Sequence, residues 1–340
     1  MQLSQQFIYF IRVILEIISL AIDAFDIVFY SAFSAILGIS ARRTVEPSTS
    51  ALIITGASSG IGRYLALRFA QRGYTVYSTV RNEKDAISLR EEWMNIGGRG
   101  EIVVVLLDVT DENQMQQVHT FIREDIYQRG VKLQGLINNA GTFATVVTAV
   151  ANHRHQQEVF HVNYFAVLRL CQTFLPLLSL HSGRIINIGS GSAYFPMKLY
   201  GLYAGSKAAL RATTETLGLE CAAVGVSVSL VEPGAIETRM TRAWDDDVPM
   251  ETDPNSHVIE GEAVETYQAL SEMCSAQRRQ IKRLANIFCA SPRMLMYPII
   301  HALEGRYPLS HYYPGVDAKA ARLGRHILTD NMWSILMKKQ

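Results

Sequence analysis

The chain has 340 residues, 49% of them apolar and 19% charged, with a formal net charge of +1. That length buries one large core, or a core with appendages, and the charge balance argues against nucleic acid and against a strongly acidic partner. The four cysteines (Cys171, Cys221, Cys274, Cys289) stand too far apart for a disulfide framework or a zinc site, so no metal is expected.

Residues 1–39 concentrate the apolar content. Arg12, Glu16, Ser19, Asp23, Asp26 and Tyr30 recur at steps of four, three, four, three and four, one narrow polar stripe on a helix of Ile, Leu, Phe and Val. Residues 27–39 are uncharged, but thirteen residues are too few to cross a bilayer alone. No basic segment precedes the apolar run and acidic residues interrupt it, unlike a secretory signal. Residues 1–43 read as a membrane anchor, either a helix in the interface or an imperfect span with its stripe paired. The alternative is an amphipathic helix packed on the domain or on a second subunit. Arg42 and Arg43 suggest a cytosolic face for the main domain. Residues 44–50, with Pro47 among Ser and Thr, read as a linker.

An apolar strand over 51–55 leads into Gly56-Ala-Ser-Ser-Gly60-Ile-Gly62, then a helix over about 61–72 that Gly73 stops. Strand, glycine turn and helix are the setting of a dinucleotide loop, where backbone approaches a pyrophosphate and a helix N-terminus faces its charge. The spacing is G-x-x-x-G-x-G rather than G-x-G-x-x-G. The next strand, 74–80, ends in Arg81, a cation where NAD sites usually carry an acid. That cation suits a 2′-phosphate and favours NADP(H), with NAD(H) the second choice. Residues 101–109 read as a strand covered on both faces, ending at Asp108 near the adenine edge. A further strand, 133–137, leads into Asn138-Asn139-Ala140-Gly141. Helical patterns at 84–95 and 111–128 alternate with these strands. This alternation predicts an α/β fold of three layers, a doubly wound parallel sheet of about seven strands.

A long helix is predicted over 155–180, with Asn163 inside it and a kink at Pro176. The strand 184–188 delivers Ser190. Tyr203 and Lys207, four apart on a helix running to about 223, share a face and point into one pocket. A phenol titrates near pH 10. A cation about 4 Å away favours phenolate by roughly 4 kcal/mol at an effective dielectric near 20, or about three pKa units. That brings the tyrosine towards neutrality, where it can act as acid or base. Ser190 is placed to hydrogen-bond the oxygen that exchanges the proton. The strand 226–231 ends at Glu232-Pro233-Gly234, with Thr238 just beyond.

Together these residues resemble the short-chain dehydrogenase/reductase family. Thr55-Gly-Ala-Ser-Ser-Gly-Ile-Gly62, Asp108, Asn138-Asn-Ala-Gly141, Asn163, Ser190, Tyr203-x-x-x-Lys207 and Pro233-Gly234 occur in family order across residues 50–240. The resemblance implies a single Rossmann domain over 51–320, with NAD(P)(H) along the strand ends. Gly56, Gly60 and Gly62, with Thr55, Ser58, Ser59 and Ile61, would form the phosphate loop. Asp108 would contact adenine, and Asn139, Ala140 and Gly141 would lie beside the cofactor. Thr238, after Pro233 and Gly234, would contact the carboxamide or the pyrophosphate. Tyr203 would be the general acid/base, and Lys207 would lower its pKa and contact the nicotinamide ribose. Ser190 would position the substrate oxygen and Asn163 would support a water relay. Two departures stand out. NADP-preferring relatives often carry a basic residue where this chain has Ser59. Relatives often have a second serine where it has Gly189, and Ser192 has an offset from Tyr203 that fits the family pattern less well.

Beyond residue 240 a substrate lid is predicted over about 240–300, with a loop at 244–254 and a helix at 258–290. The acid run Asp245-Asp246-Asp247 reads as a solvated face. Residues 306–319 are similar to the C-terminal part of membrane-associated steroid (17-beta-hydroxysteroid) and retinol dehydrogenases. The tail, 321–340, is apolar and carries Trp333, and would cap the pocket or touch lipid. The resemblance implies an oxidoreductase that interconverts a lipophilic alcohol and its carbonyl, of steroid or retinoid class. It would be membrane-associated, at the endoplasmic reticulum with the catalytic domain facing the cytosol, and dimers or tetramers are usual among relatives. The alternatives are a ketoreductase for long-chain acyl or sphingoid ketones, or a cofactor-binding scaffold whose catalysis has lapsed.

Overall fold

Runs of Val, Ile and Leu bounded by glycine turns and helix caps form seven strands in the computed structural model. They are β1 (Ser50–Ile54), β2 (Thr75–Val80), β3 (Glu101–Leu106), β4 (Lys132–Asn138), β5 (Arg184–Ile188), β6 (Ser227–Val231) and β7 (His311–Tyr312). All neighbours pair in parallel, in the order β3-β2-β1-β4-β5-β6-β7. The structure describes residues 5–38, 41, 45–143, 146–151, 153–238, 241, 289–329, 331–332 and 335.

The helices are α1 (Gln5–Ile36), α2 (Gly60–Gln71), α3 (Glu83–Ile96), α4 (Glu112–Arg129), α5 (His153–Phe160), α6 (Ala166–Ser179), α7 (Gly201–Cys221), α8 (Met296–Glu304) and α9 (Val316–Ile327). Local chemistry sets several ends. Asn82 caps α3 by accepting from Asp85 N–H, and Asp111 caps α4 by accepting from Asn113 and Gln114 N–H. Gly130, at φ +67°, closes α4 in the left-handed region.

Every residue of β1 is buried, and alternate side chains serve opposite layers. Leu52 and Ile54 pack with Leu65 and Phe69 of α2 and Ile299 and Leu303 of α8. Ala51 and Ile53 pack with Val118 and Ile122 of α4, Leu170 and Phe174 of α6 and Leu210 of α7. The strand order reverses between β1 and β4, so a crevice opens at their C-terminal ends.

Three departures from the sequence expectation concern the site. The long helix predicted over 155–180 is α5 and α6 joined by a π turn, His161–Phe165, and α6 runs on through Pro176. β3 stops at Leu106, which leaves Asp108 in the loop beyond it. The stretch from Arg306 to Gly315, which reads in the sequence as a strand-side continuation, supplies only the two residues of β7. The acid run, the 244–254 loop, nearly all of the 258–290 helix, Arg42, Arg43 and Trp333 lie outside the described residues.

Part of the predicted stripe of α1 faces the protein, while Asp26 and Tyr30 of it are exposed. Ser19, Asp23 and Ser34 are buried against the protein, whereas Phe7, Phe10, Ile17, Phe25, Phe29 and Phe33 are exposed. Phe25, Phe29 and Phe33 stack in series along the outer face. Among the described residues, no helix is long and apolar enough to cross a membrane.

Candidate active site

The crevice begins at the turn after β1. Gly56 has φ +68° and Gly60 has φ +58°, conformations that side chains disfavour. A Cβ on Gly56 would sit 2.8 Å from the Ala140 Cα, and one on Gly60 would sit 3.1 Å from the Thr238 side chain. A Cβ on Gly62 would collide with the Gly56 carbonyl and the Asn139 amide. Thr55 Oγ1 accepts from Asn139 N–H at 3.0 Å and Ala140 N–H at 2.9 Å. The Asn139 amide donates back to Thr55 O at 2.8 Å and Gly56 O at 3.2 Å. Asn139 thus fastens the glycine turn to the end of β4.

Ser59, the N-cap of α2, makes no side-chain capping bond, so the first-turn N–H groups of α2 are left for an outside anion. The glycine cradle and this uncapped terminus fit a dinucleotide pyrophosphate. Ser58 O accepts from Arg63 Nη1 at 3.3 Å, and Ile61 lies inside the first turn. At the adenosine end Arg81 is exposed and its charge reaches Asp108. Burial pushes the Asp108 carboxyl up, but hydrogen bonds from Thr110 N–H and Oγ1, with Arg81 and His161 behind them, bring it below its ordinary value.

The other end of the crevice holds the hydroxyls. Ser190 ends the β5 segment, and a short 3-10 turn, Gly191–Ala193, folds Ser192 back onto it. Ser190 Oγ accepts from Ser192 Oγ at 2.9 Å and from Ser192 N–H at 3.2 Å. Its own proton is therefore free to point away, and the Ser190 hydroxyl is the group that bears on the Tyr203 phenol. Ser192, which the sequence offset disfavours, orients Ser190.

Tyr203 and Lys207 share a face of α7 as the spacing requires. Lys207 Nζ donates to Ile188 O at 2.8 Å and lies 5.9 Å from the centroid of the Tyr203 ring. Burial pushes the Lys207 ammonium down to about 8. Burial likewise raises the Tyr203 phenol, and what opposes it is the Ser190 hydrogen bond.

Asn163 sits fully buried in the π turn. Its Oδ1 accepts from Thr142 N–H at 2.8 Å, and its amide donates to Thr142 O at 2.9 Å and Ser206 Oγ at 3.1 Å. It pins the segment after Gly141 to α7. Pro233 O accepts from Gly191 N–H at 2.9 Å, and Gly234 N–H donates to Pro314 O at 2.9 Å, which brings the loop after β6 against the Ser190 turn. The mouth is aromatic: Phe143 packs edge-on against both Tyr200 and Tyr203, with ring centroids 4.8 and 4.9 Å apart. Phe143 and Tyr200 carry no motif that sequence reasoning could have used.

A sequence profile described as short chain dehydrogenase matches residues 50–249. The chain is 38% identical over 200 residues to the short-chain dehydrogenase ptmH of Penicillium ochrochloron, across 58% of this chain and 67% of that protein. It is 30% identical over 287 residues to retinol dehydrogenase 5 of Mus musculus, across 82% and 84% of the two chains. It is 29% identical over 273 residues to 17-beta-hydroxysteroid dehydrogenase type 6 of Rattus norvegicus, across 79% and 81%. A Streptomyces avermitilis short-chain dehydrogenase superposes with a TM-score of 0.64 at 24% identity, over 86% of this chain and 97% of that one. A Burkholderia phymatum short chain dehydrogenase/reductase in complex with NAD superposes with a TM-score of 0.65 at 21% identity, over 83% and 94%.

Proposed function

This chain belongs to the short-chain dehydrogenase/reductase family and is an NAD(P)-dependent oxidoreductase acting on CH–OH groups; from that premise we propose that it interconverts a lipophilic alcohol and its carbonyl, of steroid or retinoid class, with Tyr203 as general acid/base. The observation that carries this reading is the meeting of Ser190, Tyr203 and Lys207 at the β5 end of the crevice, under an aromatic mouth. The similarity to retinol and 17-beta-hydroxysteroid dehydrogenases extends past the catalytic segment and supports a greasy substrate. Arg81 at the end of β2 favours NADP(H) over NAD(H). The apolar outer face of α1 supports a seat on a membrane surface, with the endoplasmic reticulum and a cytosolic catalytic domain as the setting.

The bound dinucleotide supplies or accepts the hydride at its nicotinamide ring. The chain handles the proton and the placement. In oxidation, the substrate hydroxyl passes its proton to the Tyr203 oxygen as the carbonyl forms; in reduction, Tyr203 returns it. Ser190, held by Ser192, donates to the same oxygen and keeps it beside Tyr203. Lys207 would contact the nicotinamide ribose and place positive charge behind the phenol. Gly56, Gly60 and Gly62 would hold the pyrophosphate, Asp108 the adenine, and Asn139, Ala140, Gly141, Pro233, Gly234 and Thr238 the walls of the crevice.

The test is Tyr203→Phe, assayed by NADPH turnover in detergent across steroids, retinoids and long-chain ketones. A loss of roughly 10²- to 10⁴-fold is expected, with NADPH binding kept. Undiminished turnover overturns the acid/base role, and a preference for acyl or sphingoid ketones overturns the substrate class.

A further inference from the structure

Part of the polar stripe of α1 is turned onto the C-terminal segment, and the contacts made there continue into the active site. Ser19 and Asp23 are buried on a helix whose outer face is apolar. Lys319, near the start of α9, donates to Ser19 Oγ at 2.8 Å and to Tyr313 O at 2.7 Å, and pairs with Asp23 Oδ1 at 2.9 Å. Gly315 N–H donates to Ser19 Oγ at 3.0 Å. Earlier on the stripe, Glu16 accepts from Ser291 N–H at 2.8 Å.

Both of these attachment points hold the chain just after β6. Asp317 Oδ2 accepts from Ala235 N–H at 2.6 Å, and a Cβ on Gly234 would collide with the same carboxylate. Asp317 also accepts from N–H groups at the start of its own helix, where negative charge is favoured. On the other flank, Ala290 N–H donates to Ala235 O at 2.8 Å and Glu237 N–H to Ala290 O at 2.9 Å. The segment 234–237 has no regular structure beyond the single bridge between Ile236 and Ala290. Besides Pro314 O, which accepts from Gly234 N–H, and Thr241, which donates to Ile236 O, it is held by Asp317 and Ala290, and each of those two flanks is tied to α1.

We propose that α1, through Glu16, Ser19 and Asp23, and Asp317 between it and the loop, are positioning residues for segment 234–237 at the nicotinamide end of the crevice. This deepens the function proposed above and rests on it. The helix then does more than rest on a surface: its seating fixes one wall of the active site. The chemistry suits that task. A buried ion pair on an apolar helix penalises any other seat, because a shifted helix would leave Asp23 or Lys319 buried and unpaired. The connection runs through hydrogen bonds joined by short stretches of chain, Gly315 to Lys319 on one flank and Ala290–Ser291 on the other.

The test uses the full chain in detergent, with Asp23→Asn, Lys319→Met and the exchange Asp23→Lys with Lys319→Asp. Three quantities are read: hydrogen exchange at the Ala235 and Glu237 amides, NADPH affinity beside that of 2′,5′-ADP, and kcat. For each single variant the amides are expected to exchange about ten-fold faster and NADPH to bind about ten-fold more weakly. The affinity for 2′,5′-ADP, which reaches only the adenosine half, is expected to stay as in the wild type, and the exchanged pair should restore part of the loss. Amide exchange and NADPH affinity within about two-fold of wild type in Asp23→Asn would overturn the proposal. If Asp23→Asn does not fold, Ser19→Ala removes the shared acceptor without stranding a charge and is read in the same way. A wild-type protein that turns over no carbonyl, while these variants still loosen the Ala235 amide, would sink the proposed function and leave this inference standing.

Discussion

At Lys207 the structure makes a prediction that the sequence did not contain. Burial lowers its ammonium from an ordinary 10.5 to about 8, so the charge is lost as pH rises through that value. If the charge supports proton handling at Tyr203, kcat/KM falls along a limb centred near pH 8. A pH–rate profile checks this, and Lys207→Arg, whose guanidinium stays charged, should carry the limb upward even where the rate is lower. The same shift bears on stability. Between about 8 and 10.5 the unfolded chain holds the lysine proton that the folded chain has lost, so stability rises with pH across that window. The proposed catalytic residues were legible as a group because four-residue spacing and a strand end fix which face a side chain takes. Their distances were not, because a long lysine side chain is free to turn to Ile188 O. Ser192 was illegible for a similar reason: only the 3-10 turn at Gly191–Ala193 brings its hydroxyl back to Ser190.

At the scale of elements, the glycine turn and α2 carry the sharpest consequence. Gly62→Ala forces its methyl into the Gly56 carbonyl and the Asn139 amide. Since those groups lock β1 to β4, the variant should lose about 1–3 kcal/mol of stability, and thermal unfolding with and without NADPH measures it. If that turn receives the pyrophosphate, as proposed, the ligand's stabilising shift should shrink in the same experiment. Alternation of strand and helix made this turn, and the seven parallel strands, readable in the chain itself. The π turn at His161–Phe165 was not readable, since five residues are too few for apolar spacing to tell it from ordinary helix. Yet it is the turn in which Asn163 sits, buried and bonded to Thr142.

For the whole molecule, the question is how the N-terminal helix sits against the rest. The sequence showed the polar stripe of α1; it did not show that Ser19 and Asp23 meet Lys319, some 300 residues away. With Ser19 and Asp23 spent on the protein, Phe25, Phe29 and Phe33 are left outside. Phosphatidylcholine vesicles should carry the wild-type chain upward in a flotation gradient. Phe25→Glu with Phe29→Glu should leave it at the bottom, with the far-UV circular dichroism of the domain unchanged; co-flotation of that variant would rule out α1 as the lipid contact. The outward phenylalanines have one more consequence. Stripped of lipid, such a row is sticky, and one copy's helix will shelter against another's. A subunit count taken in plain buffer would then register greasy helices huddling together, and only a count taken on bilayers would report how catalytic units pair.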